Sequence, residues 1–128
     1  GSPVNEQPGE ASGRVPKKYN DVNDVGRSVQ ADLTAKGKSA RIISGPDTKI
    51  FENEYRIALR VGTKPVPGYN MYDYHFMVQT STGQWAEKHG TAGASILWDN
   101  GMTPDTIPWT LGDMAYYDSP IIYYAIRD

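Results

Sequence analysis

A chain of 128 residues is long enough to bury one core and too short for two, and 38% hydrophobic with 22% charged residues marks it as globular. The net charge of −2, with no basic cluster longer than Lys17-Lys18, argues against the long-range field on which nucleic-acid binding relies, so no nucleic acid is expected. No apolar run approaches the roughly 20 residues that span a bilayer, and the lack of cysteine removes disulfides, thiolate metal sites and a thiol nucleophile from within these residues.

The chain opens on Gly1-Ser2-Pro3 in place of Met and without an apolar signal segment, which reads either as a cloning scar or as an internal boundary with sequence upstream. Residues 1–18 carry three Pro and three Gly and no amphipathic face, so they read as an irregular arm, and 19–128 as a single α+β domain. From Asn20 to Gly37, Val22, Val25, Val29 and Leu33 recur at spacings of three and four, the stripe of a helix. Asn20 serves as the expected N-cap, Asp21 and Asp24 suit the positive end of the dipole, and Gly37 supplies a left-handed stop.

A short strand is expected over Ser39 to Ser44, ended by Gly45-Pro46-Asp47. Glu54 to Gly62 alternates strictly, with Tyr55, Ile57, Leu59 and Val61 on one face and Arg56, Ala58 and Arg60 on the other, the pattern of a half-buried strand. Pro65 and Pro67 interrupt it. In Tyr72 to Thr80 the alternation puts Tyr72, Tyr74, Phe76 and Val78 toward the core and Asp73, His75, Met77 and Gln79 on a face expected to be polar.

Ser81-Thr82-Gly83-Gln84 has hairpin chemistry, and the partner run places Trp85, Glu87 and His89 on one face. The prolines around Thr103 to Trp109 indicate a structured loop packed by Trp98 and Trp109. Pro120 to Ile126 is apolar on both faces, as in a central strand. The fold expected is one N-terminal helix on a mostly antiparallel sheet of about five strands.

His75 is the leading chemical candidate, because an imidazole titrates near neutral pH and a strand aims it firmly. Glu87, from the neighbouring strand, can orient the ring and stabilise an imidazolium, with Asp73 a competing orienter and His89 a second acid or base. Each also has a bland reading as a solvated or incidental polar residue. No HExxH, His-x-His or phosphate-binding glycine loop is present, so neither metal nor cofactor is expected. Tyr69, Tyr72, Trp85 and Trp98 are candidates for a ligand-binding aromatic groove, against core packing as their ordinary fate.

Asp73-Tyr74-His75-Phe76, followed by Gly83, Trp85, Lys88 and Gly90, resembles bacterial papain-like (NlpC-like) cysteine-peptidase or amidase-like domains, which read D-Y-H-[FW] and then G-x-W-x-H-K-x-G. Pro8 to Gly13 is similar to the segment that follows the nucleophile helix there. The resemblance implies a cysteine at the start of a helix, His75 as base, a polar orienter on the next strand, a peptide or amide substrate or a protein partner, and a secreted bacterial setting such as a toxin or effector. This chain departs from it twice: the cysteine is absent, and Glu87 stands where the family has a second histidine. An upstream cysteine, a substitution and a pseudoenzyme all fit. Two rivals stand beside this reading, a small secreted metal-independent ribonuclease using His75 and His89, and a non-catalytic binding module.

Overall fold

The computed structural model describes residues 7–88 and 95–128. Helix α1 (Val22–Ala35) is capped by Asp21, whose backbone is extended and whose carboxylate accepts from Asn23 N–H at 3.0 Å. Asn20, one residue earlier, is not the cap; it reaches the Thr63 carbonyl instead. At the other end Gly37, at φ 81°, donates to Thr34 O while Lys38 donates to Leu33 O, the paired bonds of a Schellman stop.

Among the described residues six strands form one sheet: β1 (Ser39–Ile43), β2 (Tyr55–Val61), β3 (Tyr74–Gln79), β4 (Trp85–Lys88), β5 (Ser95–Leu97) and β8 (Ile122–Arg127). Their order is β1-β8-β2-β3-β4-β5, and every pairing is antiparallel. A small separate hairpin joins β6 (Thr110–Leu111) to β7 (Met114–Ala115). This is the α+β architecture expected, with six strands in the main sheet instead of about five.

The helix stripe of Val22, Val25, Val29 and Leu33 packs on Ile57, Leu59, Val61, Phe76, Tyr124 and Ile126. Burying each of these side chains is worth on the order of 2 kcal/mol, more than α1's modest intrinsic propensity supplies. Gly26 lies mid-helix because the Tyr124 hydroxyl passes under it, where any Cβ would collide.

The opposite sheet face corrects one expectation. The face carrying Ala58, His75 and Met77 is not polar: Ala58 and Met77 are fully buried in a second apolar cluster with Tyr123 of the same sheet face and with Trp109, Tyr116 and Tyr117. Irregular chain between β5 and β8 covers it, and Trp109 is pinned there by its indole N–H to Pro104 O at 2.9 Å. Both faces of the sheet are therefore buried, and His75 lies within the second layer.

The arm's residues 8–13 form turns. They dock on α1 through Asp32, which is fully buried and accepts from Gly9 N at 2.7 Å, Ser12 N at 3.0 Å and Ser12 Oγ at 2.7 Å. Among the described residues no helix is long and apolar enough to cross a membrane.

Candidate functional site

The hairpin between β3 and β4 is closed by Thr80 N–H to Gln84 O and Gly83 N–H to Thr80 O, with Gly83 at φ 88°. Its register pairs Val78 with Ala86 and Gln79 with Trp85. Continued one step it brings Glu87 opposite Met77, so Glu87 is a diagonal neighbour of His75 on one face, within reach of two long side chains.

His75 Nε2 lies 2.8 Å from Glu87 Oε1. The other carboxylate oxygen accepts from the Trp98 indole N–H at 2.6 Å. Glu87's side chain is wholly buried and that of His75 is 14% exposed, so the acid is sealed while the imidazole keeps a solvent-accessible edge. A buried carboxylate is tolerated when both oxygens are satisfied, and here two ring N–H donors do so. An ionised Glu87 can only accept, which puts the proton on Nε2 of a neutral His75 and makes Nδ1 the basic nitrogen.

Two further rings fix the imidazole. Tyr117 stacks on it, with centroids 5.3 Å apart and planes at 23°, and Trp109 meets it edge-on at 5.9 Å and 89°. The Tyr117 hydroxyl donates to Asp73 Oδ2 at 2.7 Å, while Asp73 Oδ1 accepts from Tyr74 N–H at 2.9 Å. Burial first, and the bond to Asp73 second, push the Tyr117 hydroxyl far above its ordinary value, so it remains a donor. Arg60 faces His75 across the β2–β3 pairing; its guanidinium lies 5.8 Å from the Trp109 ring centre and its Nε–H donates to Ser119 O.

Of the residues singled out from sequence, the fold thus brings together His75, Glu87 and Trp98. Asp73 reaches the imidazole through Tyr117. Trp85 is a core residue, 1% exposed and edge-on to Tyr123 at 6.1 Å, so it offers no face to a ligand. Tyr69 and Tyr72 lie outside the cluster on the surface, and His89 falls outside the described residues. Tyr117 and Trp109 carried no local signal of their role, because their contact with His75 is made only once the irregular cover folds under the sheet. Among the described residues no three His, Asp or Glu side chains converge into a metal-binding set.

Comparison with known proteins adds no neighbour: no family model, no curated protein and no solved structure matches the chain.

Proposed function

We propose that these residues form a papain-like cysteine-peptidase-like or amidase-like domain, truncated or degenerate, that holds no nucleophile of its own, with His75 as the real or relic base and Glu87, in place of the competing Asp73, as orienting acid. The observation that carries this reading is the 2.8 Å contact of His75 Nε2 with a fully buried carboxylate whose second oxygen is also held. Such an acid holds the ring in one tautomer and stabilises the imidazolium formed when Nδ1 takes a proton. With a cysteine supplied from outside these residues, its thiol proton would pass to His75 and the thiolate would attack a peptide or amide carbonyl. The imidazolium then returns the proton to the departing amine, and water releases the acyl group from sulfur. The motif residues Asp73 to Phe76, Gly83, Trp85 and Lys88 add support by resemblance.

The test is made on the natural polypeptide and first asks whether it carries a cysteine outside these residues. Where it does, one cysteine should react rapidly with iodoacetamide, blocked peptides or amides should be hydrolysed, and His75→Ala should reduce both by orders of magnitude with folding intact. A natural chain without that cysteine removes the active reading and leaves the degenerate one, and hydrolysis unaffected by His75→Ala removes the assignment of His75 as base.

One observation favours a second reading. Tyr69, Met71 and Tyr72 are 67%, 55% and 36% exposed, and the last two line a groove of about 430 Å³ with Tyr19, Asn70 and Tyr74. A binding module would use that apolar rim, and its ligand would still bind after His75→Ala. The ribonuclease alternative predicts RNA cleavage lost in either histidine variant, His75→Ala or His89→Ala, and works against the net charge of −2.

A further inference from the structure

We infer that Asp73 and Tyr117 form a second support for the His75 ring, with Tyr117 a positioning residue that ties the imidazole's face back to the strand from which the imidazole projects. The inference rests on the reading of His75 as a base. A hydrogen bond at Nε2 fixes one corner of an imidazole but does not by itself set the tilt of its plane about the line from Cβ to Nε2. A reacting group has to be held more closely than that, because small misplacements cost rate steeply.

A surface laid along the ring sets that tilt. Tyr117 provides it at 5.3 Å and 23°, with the edge-on Trp109 at 5.9 Å limiting the ring further. Tyr117 sits in irregular chain after β7, where no sheet hydrogen bond holds its side chain. What tethers it is its own hydroxyl, donated to Asp73 Oδ2 at 2.7 Å. Asp73 lies two residues before His75, and its backbone is fixed on both sides: Gly62 N–H donates to Asp73 O at 3.0 Å, and Asp73 N–H donates to the Tyr116 hydroxyl at 3.2 Å. The circuit runs from imidazole to phenol to carboxylate and back through the backbone of one strand, so displacing the phenol strains both ends. Among the described residues, the charged groups that face the ring include Glu87 from β4, Asp73 from the lead into β3 and Arg60 from β2.

The experiment follows exchange of the His75 Nε2 proton with water in ¹⁵N-histidine-labelled protein, with no substrate present. Tyr117→Phe keeps the stacked ring and deletes the tether, and Asp73→Ala deletes it from the other end. Each should speed exchange about tenfold, the worth of one net hydrogen bond to a charged group. The double variant should be no faster than either single one, because both remove the same bond. Asp73→Asn, which keeps an acceptor, should restore slow exchange, which a general loss of stability would not allow. Unchanged exchange in Tyr117→Phe, or additive effects in the double variant, overturns the inference. Since nothing is hydrolysed in this measurement, its failure leaves the base assignment standing, and failure of that assignment leaves the exchange result readable.

Discussion

Glu87 holds His75 Nε2 at 2.8 Å with one oxygen and the Trp98 indole at 2.6 Å with the other, so a single buried acid joins β3, β4 and the segment after β5. Glu87→Ala leaves two part-buried ring donors without their acceptor and should cost about 2 kcal/mol in urea unfolding. Glu87→Gln is the more informative change. The indole can only donate, so the amide oxygen must turn to Trp98 and the amide NH₂ to His75. His75 should then move its proton to Nδ1, a tautomer reversal visible in ¹⁵N spectra, with a smaller stability loss than for Ala.

Asp32 does for the arm what Glu87 does for the ring, accepting three hydrogen bonds from Gly9 and Ser12 while fully buried. Asp32→Ala leaves these donors without their acceptor and should destabilise by about 3 kcal/mol. Amide exchange at Gly9 and Ser12 should rise far more than exchange in β2. Equal increases at both places would show that the arm is not a separately anchored unit.

At position 26, helix propensity and packing oppose one another. Alanine is intrinsically better than glycine in a helix by about 1 kcal/mol. Its Cβ, however, would run into the Tyr124 hydroxyl. Gly26→Ala should therefore lower the melting temperature despite the propensity gain, and Tyr124→Phe should recover part of the loss in the double variant. A stabilised Gly26→Ala protein would mean that the helix lifts off β8 at little cost.

Glu54 sets a pH dependence. The Arg41 guanidinium, bonded bidentately at 2.8 and 2.7 Å, holds its carboxyl down at about 2, with Phe51 N–H adding to the effect. The folded value lies below the ordinary unfolded value of about 4.3, so the stability it contributes is present above that value and lost as pH falls from about 5 toward 2. Urea midpoints should drop across that window, and Glu54→Gln should flatten the drop. Because Arg41 is 42% exposed, added salt should weaken the effect.

Much of this architecture is legible in local pattern. The spacing of Val22, Val25, Val29 and Leu33 gives α1, and the alternation from Tyr55 to Val61 gives β2, because each element has one face whose burial is dictated by its immediate neighbours. Helix capping was offset by one residue, since Asn20 and Asp21 are both competent caps and only the backbone turn decides between them. The polarity of the His75 face was misread for a different reason. Met77 looks like a lone apolar residue among Asp73, His75 and Gln79 until Trp109 and Tyr117 arrive from irregular chain, and such cover has no periodicity to detect. The β6–β7 hairpin was overlooked although Gly112-Asp113 carries its signal, a glycine at φ 61° opening a two-residue turn.

The insertion of β8 between β1 and β2 has a consequence for biosynthesis. Emerging from the ribosome, the β2–β3–β4 meander can pair at once, whereas β1 has to wait for the last strand of the sheet before it gains any partner. Such late, long-range closure is slow. Until it occurs, both edges of β1 and one edge of β2 lie unpaired, the situation in which a chaperone has most to protect.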